Sequence, residues 1–285
     1  MDKTSILALM NIAGTGRKTV FKIINKISIE NDDKIDKIYK NDEKYNEAYK
    51  KAETIIKKCN ELDIQVISYF EDNYPQRLKS IPDPPAILFA KGSVKCLNYK
   101  NSIAVVGTRS PTDYGLKASY DYSRMFSEKG FNIVSGLAVG VDTMAHKGCF
   151  DGKSKTIAVL PCGLDRVYPS QNKNLAEEII KSGGCIVSEY PPRMEINKGC
   201  FVQRDRIQSG LSLGVLVIET NGKDGTIHTA RFCLKQKRIL GCIVHPIKYQ
   251  FHENTQGNRN LIKEKLAFAV SGEEDLDKYI KNLTK

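Results

Sequence analysis

Glycine, hydroxyl and arginine residues occur together in one short segment that follows an apolar, strand-like run. The segment is GTRSPTDYG, residues 107–115. A glycine turn between a strand and a helix leaves backbone N–H groups free, and the helix dipole favours an anion beside them. Arg109 adds a planar guanidinium that can hold a phosphate through two hydrogen bonds. We therefore predict an anion site here, with the candidate residues Gly107, Thr108, Arg109, Ser110 and Thr112.

The same segment predicts where the following helix begins. Ser110 suits an N-cap, Pro111 suits the first helical position, and Asp113 stands where a capping box places its acid. A plain turn with a surface arginine has the same pattern and stays open as an alternative. The segment contains neither a GxGxxG fingerprint nor a Walker A lysine motif, so neither a dinucleotide nor an ATP site is the first choice.

Two further glycines and an Asp–His pair follow the next predicted strand, in SGLAVGVDTMAH, residues 135–146. Gly136 and Gly140 permit a close backbone approach. Asp142 and His146 lie four positions apart on one helix face, where they could form a catalytic or metal-binding pair. We favour a buried Asp–His hydrogen bond that locks the loop, because no third ligand is adjacent. We accordingly predict no catalytic residue, no metal and no cofactor.

Other strand ends carry basic and aromatic residues. Arg166 and Tyr168 follow the run 156–160 and are expected at the rim of the sheet. Aromatic side chains beside a basic groove can stack nucleobases. Tyr114 and Tyr168 are candidates for this role, whereas for Phe201 we favour a core position.

The elements that must position these loops are short apolar runs separated by helix-length segments. The runs cover residues 86–90, 103–106, 131–134, 156–160, 185–187, 214–218, 239–244 and 268–270, and a last helix is predicted to start near Glu273. Strands that are apolar on both faces and alternate with helices form a buried parallel sheet. In such an α/β fold, ligands bind at the carboxyl ends of the strands.

A small helical domain is predicted at residues 1–66, ahead of a sheet domain at 67–285. Apolar residues recur at helical spacing on both sides of the turn at 14–16, which suits either a plain helical hairpin or a phosphate-binding helix-hairpin-helix or SAM-like module. Residues 31–58 are lysine-rich and predict a solvated helix pair. The proline-rich tract 73–85 predicts an extended crossing segment.

Composition limits the class of protein. The 285 residues carry 44 Lys and Arg against 33 Asp and Glu, a formal net charge of +11 that favours a polyanionic partner. A general abundance of Lys, Asn and Ile is the alternative explanation. The eight cysteines form no CxxC pair, so we predict reduced, structural cysteines. Neither a membrane span nor a signal peptide is evident, which predicts a cytoplasmic protein.

Six ordered segments give the sequence a specific family resemblance. They are GTRSPTDYG, SGLAVGVDTMAH, TIAVLPCGLDRVYPSQN, SEYPP, FVQRDRIQSGLS and DGTIHTA. In this order, over roughly residues 73–275, they resemble the DNA-processing protein A family, also called DprA or Smf. The resemblance implies an extended Rossmann-like fold, a homodimer, protective binding of single-stranded DNA, and loading of a RecA-type recombinase during transformation or recombination. It implies no enzymatic activity.

The resemblance also implies roles for individual residues. Arg109, with Gly107 and Thr108, would form the main phosphate pocket, and Arg204 and Arg206 would line the same groove. The remaining candidates would shape the adjoining loops and the pocket floor: Gly136, Gly163, Asp165, Arg166, Tyr168, Asn172, Gly225, Thr226 and Thr229.

Several positions depart from the family pattern. Asp205 stands where the family usually has asparagine, and its charge is expected to weaken anion binding or to draw Arg206 into a local pair. Pro161, Asp224 and His228 differ as well, and the winged-helix-like tail of some members is expected to be absent. These changes leave the identity of the pocket's ligand open between DNA and a nucleotide.

The alternative function is a nucleotide-binding sensor or a nucleotide-processing enzyme of the related LOG-like fold. Those enzymes carry a glutamate at a position where this sequence has Thr229. The carboxylate needed for hydrolysis is therefore not in place, and nucleotide sensing survives this objection better than hydrolysis does.

Overall fold

The computed structural model describes residues 2–29, 35, 39 and 41–285, and its centre is one mixed sheet. Within the described residues the strands are β1 Gln65–Ser68, β2 Ile87–Gly92, β3 Ser102–Val106, β4 Asn132–Ser135, β5 Thr156–Val159, β6 Cys185–Ser188, β7 Gly214–Val217, β8 Ile239–Ile243 and β9 Phe268–Val270. Their spatial order is β1-β2-β6-β5-β4-β3-β7-β8-β9. From β6 to β9 all neighbours pair in parallel, whereas β2 runs antiparallel to both β1 and β6.

Helices cover both faces of the sheet. Their bounds are α1 Lys3–Asn11, α2 Arg17–Ile29, α3 Glu43–Glu61, α4 Gln76–Lys79, α5 Asp113–Glu128, α6 Val141–Asp151, α7 Lys173–Lys181, α8 Lys198–Gly210, α9 Thr226–Lys235, α10 Ile247–Gln250, α11 Gln256–Lys263 and α12 Glu273–Leu283. One face packs against α1 to α3, α5 to α7 and α12, and the other against α4, α8, α9 and α11. The predicted α/β, Rossmann-like fold is confirmed.

Alternation along the buried strands explains why two helical layers form. Ile103 and Val105 of β3 belong to one apolar core, and Ala104 belongs to the core on the opposite face. Successive side chains of a strand point to opposite faces, so a strand that is apolar throughout requires cover on both sides. Every run predicted as a strand is a strand within two residues at each end. The four-residue edge strand β1 was not predicted.

The N-terminal helices share their apolar core with the sheet. Residues of α1, α2 and α3 lie in the same buried cluster as residues of β2, β5 and β6. The predicted boundary between residues 66 and 67 falls inside β1. The hairpin of α1 and α2 around the turn at 14–16 is confirmed. Of the helix pair predicted over 31–58, residues 31–34, 36–38 and 40 lie outside the described residues, and α3 covers the later part.

An ionic contact fixes these helices to the sheet domain. Arg17, the first residue of α2, donates to Asp83 at 2.8 Å and to Glu189 at 2.9 Å. Burial lowers the pKa of Arg17, but the charges and hydrogen bonds of the two carboxylates together outweigh it, so the pKa is raised. The contact reaches the loop after β6 and therefore ties the helical region to the carboxyl end of the sheet.

Two other expectations concern the proline tract and the cysteines. The tract 73–85 is not extended throughout, because Pro75 caps the short helix α4, a position where its missing N–H costs nothing. All eight cysteines, which lie in the described part of the chain, are buried and free of disulfide bonds. Among the described residues, no helix combines the length and apolar character needed to cross a bilayer.

Candidate nucleic-acid interface

A cavity of about 360 Å³ opens at the carboxyl ends of β3, β4 and β7. A second cavity of about 170 Å³ adjoins it toward the loop after β5. The two share Arg109, Ala138, Phe201 and Arg204, and we call them together the rim groove. The groove lies where ligands bind in open parallel sheets. Of the predicted site residues it brings together Gly107, Thr108, Arg109, Gly136, Tyr168, Arg204, Gly225, Thr226 and Thr229.

Helix α8 forms one wall of the groove. It presents Phe201, Arg204, Asp205 and Gln208 to the cavity, at the i, i+3, i+4 and i+7 spacing of one helix face. Gln208 was not predicted as a site residue. Helical spacing from Arg204 is the signal that finds it. Phe201 is half-buried and lines the groove, so the predicted core position is wrong.

Arg204 is a buried residue that stabilises the groove. Its Nη1 donates to the carbonyls of Gly136 at 2.7 Å and Val159 at 2.9 Å, and its Nε lies 3.1 Å from Asp205 Oδ1. A Cβ at position 136 would lie 1.7 Å from Nη1, so only glycine admits the guanidinium here. Arg204 therefore joins the ends of β4 and β5 to α8.

Asp142 stabilises the loop between β4 and α6 through hydrogen bonds with its backbone. Its Oδ2 accepts hydrogen bonds from the backbone N–H groups of Gly136 and Ala138, at 3.1 and 3.3 Å. The predicted Asp142–His146 hydrogen bond is wrong, because His146 Nδ1 instead lies 2.6 Å from Thr156 Oγ1. Complete burial, with a smaller effect of Arg204, lowers the pKa of His146 to about 3. The imidazole is a neutral core group.

Burial also changes the ionisation of two of the three carboxyl groups in the groove. It raises the pKa of Asp142, and it raises the pKa of Asp205 to about 7. For Asp205 the charge of Arg204 opposes the rise, Asp142 adds to it and Arg109 opposes it. Asp205 therefore carries only part of a negative charge near neutral pH. This carboxyl pairs with Arg204 rather than with Arg206.

Arg109 is the cation that the groove offers to a ligand. Its side chain is exposed, and in the described part of the chain its guanidinium makes no hydrogen bond or ion pair. The guanidinium carbon lies 5.3 Å from the ring centroid of Phe201, and Tyr168 meets the same ring edge-on at 5.3 Å. The cation is thus positioned by an aromatic face, which leaves its N–H groups to a bound anion.

The helix after Arg109 begins two residues later than predicted. Thr112, not Ser110, is the N-cap of α5, and its Oγ1 accepts from Gly115 N at 3.0 Å. Thr112 also donates to the buried Glu219 through its hydroxyl and its backbone N–H. The N-cap is Thr112 rather than the predicted Ser110 because Glu219, two residues after β7, accepts both of these hydrogen bonds from Thr112. Ser110 is exposed, and both residues lie outside the groove lining.

The floor near β7 is organised by Asp224. Its carboxylate accepts from Thr220 Oγ1 at 2.6 Å and from Thr226 N at 3.1 Å. Thr226 and Thr229 are buried in the cavity wall and Gly225 caps α9. The Asp224 carboxylate is therefore hydrogen-bonded within its own turn.

Three predicted residues shape neighbouring loops. Asn172 is buried and donates to Leu137 O at 2.7 Å and Thr143 Oγ1 at 2.9 Å, which fixes the β4–α6 loop. Gly163 is buried where the loops after β5 and β6 meet. Arg166 is exposed at the rim and donates to Met194 O. All three lie outside the groove lining.

Arg206 does not line the groove. Its side chain is 1% exposed, and its Nη2 donates to both carboxylate oxygens of Glu189, at 2.5 and 2.6 Å. Arg204 and Arg206 are two positions apart and therefore project from opposite sides of α8. The helix geometry places Arg206 beside Arg17 and Asp83 in the domain contact.

Comparison with known proteins identifies the family of this chain. A model of the family described as DNA recombination-mediator protein A matches residues 65–281, more than half of the chain. The chain belongs to this family. The DNA processing protein DprA of Bacillus subtilis is 40% identical over 190 residues, which cover 67% of this chain and 64% of that protein. The chain spans 43% to 64% of the first three curated relatives.

Two solved structures of family members resemble the fold. DNA processing protein A from Streptococcus pneumoniae has a TM-score of 0.84 at 29% identity, with 97% of each chain covered. The protein from Helicobacter pylori, reported for its single-stranded DNA binding mode, has a TM-score of 0.68 at 28% identity and covers 77% of this chain and 96% of its own. Within the residues that the structure describes, no group of three or more His, Cys, Asp and Glu side chains could hold a metal ion.

The raised pKa of Asp205 predicts a pH-dependent stability. Between about pH 4 and pH 7 the unfolded chain ionises Asp205 while the folded chain keeps it protonated, so rising pH destabilises the fold by at most about 1.4 kcal/mol per pH unit. Asp205→Asn removes this effect. In urea unfolding, the free energy of unfolding of the variant should rise relative to that of the wild type between about pH 4 and pH 7. From pH 8 to 9 the difference between the two free energies should be constant. A constant difference from pH 4 upward would contradict the assignment.

Proposed function

We propose that the chain binds single-stranded DNA through its phosphates at the rim groove, without catalysing a reaction of its own. The observation that carries the proposal is Arg109, an exposed guanidinium held over Phe201 at the mouth of a cavity behind the β3 turn. An arginine fork beside helix starts suits a phosphate diester. The net charge of +11 favours a polyanionic ligand as well.

The aromatic residues of the groove favour a single strand over a duplex. Phe201 and Tyr168 both line the groove, and Tyr168 is 37% exposed. Exposed rings can stack unpaired bases, whereas the bases of a duplex are already stacked. The binding mode reported for the Helicobacter pylori relative is consistent with this choice.

We further infer that the bound strand is protected and passed to a RecA-type recombinase in DNA uptake and recombination. Family membership supports this role. Phosphate-based binding has little sequence preference and strong salt dependence, which suits a protein that must bind any strand and release it again.

A homodimer is proposed on a separate surface. Ile247 and Phe251 are 86% and 80% exposed and lie at either end of α10, beside the half-exposed Val244. Large apolar side chains grouped on a surface mark a protein contact. A twofold dimer uses one such patch on both copies.

Removing the Arg109 guanidinium is expected to weaken strand binding. Loss of charge-assisted hydrogen bonds of about 1.5 to 3 kcal/mol corresponds to roughly 10- to 150-fold in Kd. Fluorescence anisotropy of a labelled oligothymidylate over a salt series measures Kd for Arg109→Ala. The slope of log affinity against log salt should shrink by about 0.7 for one lost phosphate contact.

The matched control is Arg124→Ala, an exposed arginine of α5 far from the groove, which should bind like wild type. A matching duplex should bind more weakly than the single strand. Tighter binding of free mononucleotides with no strand binding would instead favour the nucleotide-sensor alternative.

Recombinase loading is tested on single strands coated with single-strand binding protein. The chain is expected to shorten the lag before RecA hydrolyses ATP, and Arg109→Ala is expected to lose most of this effect because it holds the strand less tightly. An unchanged lag with wild-type protein that binds the strand normally would show that loading is not its role.

Charge on the apolar surface should separate the dimer. Ile247→Glu with Phe251→Glu is expected to give a mass near 31.9 kDa by light scattering, where wild type gives about twice that value. Tyr99→Glu, an exposed aromatic residue elsewhere, is the control. A wild-type chain that is already monomeric at micromolar concentration would refute the dimer.

A further inference from the structure

Exposed arginines follow the strands in the order in which the strands lie in the sheet. Arg109 follows β3, Arg166 follows β5 and Arg193 follows β6. In the sheet, β4 alone separates β3 from β5, and β6 is the next neighbour. At about 4.8 Å per strand, the strand ends below this row span roughly 14 Å. A row of cations of this length suits a chain of phosphates rather than one small anion.

The row continues onto the N-terminal helices. Arg193 and Lys57 of α3 line the same surface hollow, together with Lys58. The backbone N–H of Arg193 donates to Asp165 Oδ2 at 3.1 Å, which joins the loops after β5 and β6 at this point. The hollow is thus continuous with the loop that carries Arg166.

Two of these cations are available to a ligand. Lys58 pairs with Glu61 at 2.9 Å. The side chains of Lys57 and Arg193 are exposed and, within the part of the chain that the structure describes, form no hydrogen bond or ion pair. Including Arg166, this surface has four cations and three carboxylates, those of Glu61, Asp165 and the exposed Glu195, so its net charge stays positive.

We propose that a bound single strand leaves the rim groove over the loops after β5 and β6 and continues across Arg166 and Arg193 to Lys57 on α3. The N-terminal helices then form part of the DNA-binding surface and do more than support the sheet. This inference rests on the proposed binding of single strands in the groove.

The opposite direction is less suited to a strand. Beyond β7, Tyr114 stacks on Tyr249 and packs against His245. These rings therefore contact one another rather than a nucleobase. The surface that follows holds the apolar Ile247 and Phe251. Lys248 and Arg259 also lie on this side, but each is placed over an aromatic ring, Tyr249 and Phe251. We therefore assign the bound strand to the side of β5 and β6, where Lys57 and Arg193 are exposed.

The length of the bound DNA strand distinguishes binding in the rim groove from binding on the extension, which is the surface of Arg166, Arg193 and Lys57. We compare oligothymidylates of about 4 and about 16 nucleotides, the range over which compact single-strand sites extend. The test variant is Lys57→Glu with Arg193→Glu. The control is Lys181→Glu with Lys235→Glu, which makes the same charge change on exposed helix ends at the opposite rim.

The test variant should bind the longer strand roughly 5- to 30-fold more weakly than the control variant and bind the short strand equally well. Equal short-strand affinity also shows that the variant is folded, and Lys57→Gln with Arg193→Gln should give a smaller loss in the same direction. If wild type prefers the longer strand and the test variant matches the control, the extension is wrong and this surface suits another partner, such as an acidic protein segment. If wild type binds neither strand, the proposed function itself fails.

Discussion

The buried guanidinium of Arg204 is the interaction on which the groove depends. It joins the carbonyl ends of β4 and β5 to α8 and pairs with Asp205. A buried cation that loses its partners is left uncompensated, which is strongly destabilising. The groove therefore keeps its shape through a charge that it does not offer to a ligand. Gly136 is required because the guanidinium occupies the space of its side chain.

Burial and internal partners divide five arginines near the carboxyl ends of the strands into two groups. Arg17, Arg204 and Arg206 bind carboxylates or carbonyls within the fold. Arg109 and Arg166 reach solvent at the carboxyl rim. A buried cation is neutralised by its partners, whereas an exposed one can exchange water and counterions for phosphate. The number of arginines near a groove is thus a poor measure of its attraction for DNA.

Asp205 links the ionisation of the groove to pH. The carboxyl lines the cavity beside Arg204, and its pKa of about 7 means that its charge changes near neutrality. Protonation removes a negative charge from the neighbourhood of Arg109. This residue does not capture Arg206, because both carboxylate oxygens of Glu189 already accept hydrogen bonds from the Arg206 guanidinium.

Local pattern determined the layers of this fold but not its site. Apolar strands alternating with helices predicted the strands from β2 to β9 and the edge of the sheet where a ligand binds, because burial on both faces leaves a strong signal. The edge strand β1 was missed because the predicted boundary of the helical domain, between residues 66 and 67, falls inside it. The sequence placed Arg109 in the groove through its glycine turn, yet it also placed Arg206 and Thr112 there. Only the tertiary structure showed that Glu189 and Glu219 hold these two residues. Glu189 lies 17 positions from Arg206 along the chain, and Glu219 lies 107 positions from Thr112. No local spacing in the sequence encodes contacts between loops that meet only when the sheet assembles.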